Sequence, residues 1–299
     1  MAQTISIGAT QYIDLLKDRL GQKLNFLEGN GLKVILEERP AGRLTFLSCR
    51  LTGYGSYVYT REEDCWTAFR QFLADIISDL ILNHWEDHLL KDIIRENYFY
   101  FDDQERKIIY NYALHHVYSD DEESCLYPIY RSDRKNRILQ KVIDFLHYNN
   151  SVVIDGFIRF RLKEYLGELR EAADKAVDDY LMEREYQEFI QLLKYFVDVQ
   201  EPRAEVVNIL VNGAGNFKLY DEKMEPIKSD YTEGFVVELV DNEINFEDLL
   251  ISALITIAPK NIVLHYKDDS VKSATIDTIE GVFAGRVLEC AGCGFCREN

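Results

Sequence analysis

The sequence predicts an α+β fold made of an N-terminal βαββ unit, a long central helical region and a small C-terminal β-rich α/β unit. Three observations support this prediction. Strand and helix patterns alternate over the first 60 residues, apolar residues at helical spacing dominate residues 61–202, and short alternating segments return after Pro202. We therefore expect three domains, at residues 1–60, 61–202 and 203–299.

Length, charge and hydropathy narrow the class of protein. A chain of 299 residues with 47% hydrophobic residues can bury a large core, as ordinary globular proteins do. Met1–Leu16 lacks the features of a secretory signal and no run reaches about 18 apolar residues, so we expect a cytoplasmic protein without a membrane span. The net charge of −18 repels phosphate groups, which makes nucleic acid an unfavourable partner.

The first 60 residues predict a βαββ unit. Thr4–Gly8 has a strand pattern and Gln11–Glu28 a helical one, which Gly29-Asn30-Gly31 ends. Lys33–Glu38 and Leu44–Leu51 then predict two paired strands around a turn.

Residues 62–149 predict three helices. Apolar side chains from Trp66 to Trp85 form one broad face, and Asp103–Val117 and Asp133–His147 have the same periodicity.

The stretch Ser151–Pro202 contains no proline before its last residue and predicts two amphipathic helices or one bent helix. The apolar pattern slips in phase at Glu183-Arg184-Glu185 and then resumes. Five residues of the apolar face are expected to be buried: Phe157, Leu162, Leu166, Leu193 and Phe196.

Three runs within this stretch, IDGFIRFRLK at residues 154–163, EYQEFI at 185–190 and LLKYFVD at 192–198, resemble the YtxC-like family. That family is found in spore-forming bacteria and is described as a family of sporulation proteins. The resemblance implies a role in sporulation and brings no catalytic residue with it. We therefore expect a protein that acts by binding an unknown protein partner, and we favour a non-enzymatic role.

The C-terminal region predicts a hairpin followed by a parallel crossover. Glu205–Val211 and Asn216–Tyr220 alternate as strands around a glycine-rich turn, and Phe235–Val240 predicts a further strand. A helix comes next, and after it a strand, a helix and a second strand form the parallel crossover. These four elements are expected at Asn245–Ala258, Asn261–Tyr266, Val271–Val282 and Arg286–Glu289.

The strongest chemical signal is the CxxCxxC motif of Cys290, Cys293 and Cys296. Two-residue gaps let successive thiolates turn towards one metal ion or iron–sulfur cluster, and Gly292 and Gly294 give the loop the backbone freedom it needs. The motif therefore predicts a site for zinc or an iron–sulfur cluster. Redox chemistry of the thiols and a tail without a site are the alternatives.

A four-ligand site also needs a donor from outside the motif. Cys49, Cys65, Cys125, a histidine or a partner chain are all open choices. An open fourth position is the other possibility. Apart from such a role, the three scattered cysteines are expected to be buried or plain thiols.

Other polar features favour structural roles. His84 and His88 share a helix face, but Trp85 occupies the glutamate position of the zincin motif, so a metal site there is disfavoured. The basic segment Arg131–Lys141 is expected to be the solvated face of a helix. We expect Arg159, Arg161 and Lys163 to pair with carboxylates of neighbouring helices.

Two function classes follow from these features. The first is a non-enzymatic sporulation protein that acts through its surfaces. The second is a metal- or iron–sulfur-binding redox protein that uses Cys290, Cys293 and Cys296.

Overall fold

The structure, a computed structural model, has the mixed α+β architecture that the sequence predicts. Contacts within the chain divide it into two compact units, Met1–Leu181 and Met182–Asn299. The division into three domains at residues 60 and 202 stays a prediction about folding. The structure describes residues 3–29, 32–54, 61–118, 127–211, 217–227, 246–266, 274–294 and 296.

The N-terminal unit begins with the predicted βαββ segment. It contains β1 (Gln3–Ala9), α1 (Ile13–Gly29), β2 (Leu32–Ala41) and β3 (Leu44–Tyr54). Strand β3 lies in the middle and pairs antiparallel with both β1 and β2. The inward faces of β1 and β3 bury Ile5, Ile7, Leu47 and other apolar residues in the core of this unit.

Helices follow in the order that the periodicity predicts. They are α2, a five-residue π-helical segment, α3, α4 and α5, at Glu62–Leu80, Ile81–Trp85, Glu86–Asn97, Asp103–Tyr118 and Tyr127–Tyr148. The single apolar face predicted from Trp66 to Trp85 therefore spans α2 and the π-helical segment.

Beyond α5, the chain returns briefly to the sheet before the long helical stretch. Strand β4 (Ser151–Val153) pairs parallel with β1, and α6 (Ile154–Arg161) follows directly. Helix α7 (Lys163–Val199) then continues for 37 residues. The stretch thus forms two helices that meet at Leu162, and the phase slip at residues 183–185 lies within α7.

The predicted buried face is correct in the first unit and only partly correct in the second. Phe157, Leu162 and Leu166 are buried in the first core. Leu193 is half-buried, but Phe196 is 49% exposed, because the second core takes up the neighbouring face of α7 through Ile190 and Val197. The change of phase thus turns Phe196 outwards.

Glu86 is a buried carboxylate at the start of α3, directly after the π-helical segment. The hydroxyls of Tyr118 and Tyr165 donate to it at 2.9 and 2.7 Å, and Arg134 Nη1 lies 3.3 Å from its Oε2. Both oxygens of this carboxylate therefore have donors, which is what burial of a charge requires. Burial and the nearby Glu86 charge both raise the pKa of Tyr165, so its hydroxyl stays protonated.

The basic segment of α5 is neutralised within the N-terminal unit. Lys135 Nζ lies 2.7 Å from Asp75 and 2.8 Å from Asp79, and Lys141 Nζ lies 2.6 Å from Glu164. These cations form ion pairs with helices of their own unit, so the segment is more than a solvated face.

The three cations of the family-like run behave differently from the prediction. Arg159, Arg161 and Lys163 are all exposed. The Arg161 guanidinium lies over the ring of Phe145, 5.7 Å from its centre. Within the described ranges none of the three forms an ion pair with a carboxylate, so the predicted pairing is wrong.

The C-terminal unit is a four-stranded sheet with helices. Its strands lie in the order β6-β5-β7-β8, with β6 antiparallel to β5 and the other pairs parallel. The predicted hairpin and crossover are thus both present. In chain order the elements are β5 (Val206–Val211), β6 (Phe217–Tyr220), α8 (Phe246–Ile257), β7 (Asn261–Tyr266), α9 (Ala274–Val282) and β8 (Val287–Glu289).

Two features predicted for this unit lie outside the described residues, namely the hairpin turn after Val211 and the strand at Phe235–Val240. A search of the described helices finds none with the length and apolar character that a bilayer crossing requires.

Candidate metal centre

Topology brings the CxxCxxC motif to the end of strand β7. Strands β7 and β8 are parallel neighbours, so their carboxyl ends meet at the same edge of the sheet. His265 is the penultimate residue of β7, and Cys290 directly follows β8. The amide of Cys290 donates to the carbonyl of Leu264 at 2.9 Å, which extends the strand pairing and holds Cys290 beside His265.

The loop after Cys290 turns back on itself. Gly292 adopts a φ of +97°, a conformation that residues with a Cβ rarely adopt, and this turn directs Cys293 towards the strand ends. Cys296 is buried, whereas Cys290 and Cys293 are half-buried. The loop therefore places three thiols around one point, one of them buried and two half-buried.

The four donor atoms of His265, Cys290, Cys293 and Cys296 all lie within 4.8 Å of one another. The Nδ1 atom of His265 is 3.3 Å from the Cys296 sulfur and 3.5 Å from the Cys293 sulfur. The Cys296 sulfur is 3.6 Å from that of Cys293 and 3.7 Å from that of Cys290.

These separations can be compared with a tetrahedral zinc ion. Zinc–sulfur bonds of about 2.3 Å and zinc–nitrogen bonds of about 2.0–2.1 Å place two sulfurs about 3.8 Å apart, and a sulfur and a nitrogen about 3.5 Å apart. The four distances given above match these values closely, and the remaining two pairs of donor atoms lie within 4.8 Å. In a four-iron cluster each thiolate binds a different iron, so its sulfurs lie much farther apart. The geometry thus has the dimensions of a site for one ion.

A second hydrogen bond fixes the ring of His265. The Asn208 side chain donates through Nδ2 to the carbonyl of Asp221 at 2.8 Å, which leaves its Oδ1 as an acceptor. Oδ1 lies 3.1 Å from Nε2 of His265, so that nitrogen carries the proton. Nδ1 therefore presents its lone pair to the three thiols, which is the tautomer a metal ligand requires.

Burial shifts the pKa values of two of the four donors, His265 and Cys296. It lowers the pKa of His265, so the imidazole is neutral at pH 7. Burial, together with hydrogen bonds to Cys293 and Cys290, raises the pKa of Cys296 to about 11. Without a cation the Cys296 thiol keeps its proton, and a bound cation would release it.

The structure brings together the three cysteines of the motif and adds His265. The sequence left the fourth donor open among several residues. Cys49 and Cys65 lie in the core of the N-terminal unit, and Cys125 lies outside the described residues. The signal for His265 was the strand–helix–strand pattern, because a parallel crossover places the end of NIVLHY next to the start of the motif.

The histidine pair His84, in the π-helical segment, and His88, in α3, has structural contacts instead. The ring of His84 packs against Tyr12, and Nε2 of His88 lies 3.3 Å from Asp92 Oδ2 and 3.4 Å from the Gln11 amide. Among the residues that the structure describes, the Cys/His group above is the one cluster with the geometry of a metal site.

Comparison with known proteins identifies the family of the chain. The model of the YtxC-like family matches residues 71–288, so the chain belongs to that family. The chain is also 30% identical to the uncharacterized protein YtxC of Bacillus subtilis (strain 168) over 220 residues, which is 73% of this chain and 76% of that protein. Comparison with solved structures gives no match. The family match includes His265 and ends before Cys290.

Proposed function

We propose that the C-terminal unit is a structural zinc module in which His265, Cys290, Cys293 and Cys296 bind one Zn²⁺ ion. The observation that carries this proposal is the convergence of four donor atoms at tetrahedral separations, with the His265 tautomer fixed by Asn208. Three thiolates and an imidazole form a Cys₃His set, which is a typical structural zinc site.

The number of protein ligands distinguishes a structural zinc site from a catalytic one. Catalytic zinc sites keep one position for water or substrate, whereas structural sites fill all four positions with protein ligands. Four donors around one point leave no such position. The proposal is therefore a non-catalytic protein that acts by binding a protein partner, with zinc holding the fold of its C-terminal unit.

The contribution of zinc would be to join two weakly connected segments. Strand β8 has three residues and, within the part of the chain that the structure describes, pairs with β7 alone. A metal bound by His265 on β7 and by the cysteines after β8 would add the binding free energy of the ion to the stability of this edge.

Metal analysis tests the proposal. We expect protein purified without oxygen to contain one zinc per chain and no acid-labile sulfide. His265→Ala and Cys293→Ser should each lose most of the zinc, because removing one ligand leaves an incomplete site. The matched controls are His88→Ala and Cys65→Ser, which should keep it.

Two results would contradict the zinc module. Iron with sulfide would favour the iron–sulfur protein, and a metal-free protein whose three motif thiols react freely with a thiol reagent would exclude a metal site. In the reactivity assay Cys49 serves as an internal reference, because burial raises its pKa to about 12 and keeps it unreactive.

A role in sporulation is the second part of the proposal. It is supported by membership of the YtxC-like family, whose description implies that setting, and by no feature of the site. Deleting the gene in a spore-forming host should lower the yield of heat-resistant spores, and complementation with the parent gene should restore it. An unchanged spore yield would contradict the role in sporulation but would not affect the proposal of a zinc module.

A further inference from the structure

The second half of α7 carries more apolar surface than the core of the C-terminal unit covers. Between residues 182 and 199, that core takes up Ile190 and Val197 and packs against Leu193. Next to these residues lies an apolar stripe whose six members are each 49–69% exposed: Met182, Phe189, Leu192, Tyr195, Phe196 and Val199. The polar residues of this segment, such as Gln187 and Gln191, lie on the remaining side of the helix.

The spacing of the stripe is that of a helix–helix seam. Met182, Phe189 and Phe196 are seven residues apart, and Leu192 and Val199 each follow three residues after a member of that series. These are the a and d positions of heptads, the pattern by which two helices pack knobs into holes. A helix that only covers its own core needs a single apolar face, so this seam predicts a second helix.

The exposed area is close to what a stable interface requires. Large apolar side chains expose about 150–250 Å² in full, so six of them at these fractions present roughly 650 Å² per chain. The largest apolar patch on a typical monomer is about 300–600 Å², and a standard interface buries about 800 Å² per partner.

We propose that two copies of this chain pair through the apolar stripe, with their α7 helices antiparallel across a two-fold axis near Phe189 and Leu192. A second copy supplies the same heptad seam, so the stripe is complementary to itself. The pairing is independent of the zinc module.

Charge decides the direction of the two helices. Glu185 occupies the d position between Met182 and Phe189, and Glu188 lies beside the seam. In a parallel pair both would meet their own counterparts, and like charges in a seam are destabilising. In an antiparallel pair centred between Phe189 and Leu192, Glu185 lies across from Phe196 and Glu188 across from Leu193, so neither carboxylate meets its own counterpart.

Light scattering of the full-length protein tests the pairing. We expect the mass of a dimer for the parent and of a monomer for Phe189→Glu and Leu192→Glu. Gln187→Glu adds the same charge on the polar side of the same helix and should leave the dimer intact. Because the substituted side chains are exposed, the thermal melts of the monomeric variants, followed by circular dichroism in dilute solution, should resemble that of the dissociated parent.

Cross-linking tests the orientation. A mixture of Met182→Cys and Val199→Cys proteins should form a disulfide between the two introduced cysteines, because antiparallel helices place residue 182 of one copy beside residue 199 of the other. Each variant alone should not link through its introduced cysteine. Mass spectrometry of the joined peptides separates these links from those of native cysteines.

Each contrary result overturns the proposal. A parent that stays monomeric at high concentration removes the dimer. A dimer that survives both glutamate variants uses another surface. A Met182→Cys protein that links to itself shows that the helices are parallel.

Discussion

The side-chain oxygen of Asn208 lies 3.1 Å from Nε2 of His265, on the side of the ring away from the three thiols. Asn208 is itself buried on β5 and held by the carbonyl of Asp221. The orientation of the imidazole is therefore set by a residue some 57 positions earlier in the chain.

Replacing Asn208 tests this relationship. We expect Asn208→Ala to weaken zinc binding by about 10- to 100-fold, because the ring loses the partner that fixes its tautomer. Competition with a chromophoric chelator measures the change. Asn83→Ala, a substitution of the same type at a site distant in sequence, should leave the zinc affinity unaltered, and an unaltered affinity in Asn208→Ala would show that the asparagine does not position the ligand.

Phe157 and Phe160 on α6 provide a matched pair for the core of the N-terminal unit. Phe157 is 4% exposed and packs edge-to-face on Phe145, whereas Phe160 is 68% exposed. Phe157→Ala should lower the free energy of unfolding by about 3–5 kcal/mol, and Phe160→Ala by less than about 0.5 kcal/mol. Urea unfolding followed by circular dichroism compares the two, and equal losses would contradict this orientation of α6.

Tyr165→Phe removes one donor from the buried Glu86 carboxylate. We expect it to destabilise the N-terminal unit by about 1.5–3 kcal/mol, the usual contribution of a hydrogen bond to a charged group. Tyr148→Phe is the control, since Tyr148 is exposed. If the two variants unfold at the same urea concentration, Glu86 does not depend on Tyr165.

The pairing of Lys135 with Asp75 predicts a pH dependence. Burial alone raises the pKa of Asp75, but hydrogen bonds from Lys135 and Lys23 more than offset it, so the pKa lies below its usual 3.8. A lowered carboxyl pKa gives stability that is present at neutral pH and is lost as pH falls below about 4.

Lys135→Met should therefore destabilise the protein by up to about 1 kcal/mol at pH 7, the scale of partly exposed ion pairs, and the difference should shrink at pH 3. Lys175→Met removes a single exposed pair with Glu171 and should have a smaller effect at both values. Thermal melts at the two pH values measure this, and a difference that stays constant with pH would count against the network.

The elements of this fold follow from local patterns, and the corrections come from tertiary packing. Periodicity located every strand longer than three residues among the described ranges, whereas β4 is too short to show an alternation. Phe196 was expected inside because its spacing continues the face of Phe189, but the second core takes up the adjacent face. The sequence alone could not show which part of an apolar arc a second unit would use.

In the candidate site, too, some residues follow from a local sequence pattern and others depend on tertiary structure. The motif itself is local, so Cys290, Cys293 and Cys296 could be singled out without a structure. His265 lies 25 residues before Cys290, and Asn208 lies farther still. The predicted crossover already places His265 near the motif, whereas the contribution of Asn208 depends on the order of strands in the sheet, which no spacing in the sequence determines.

The shortness of β8 has a consequence for the behaviour of the protein outside its native state. Among the described residues, this three-residue strand is what covers one edge of β7, which is rich in β-branched and apolar residues. An uncovered strand of this kind offers unpaired amides and carbonyls to any other chain that can add a strand. With zinc bound as proposed, the four donors would hold β8 against β7 and would thereby protect this edge of the sheet from aggregation.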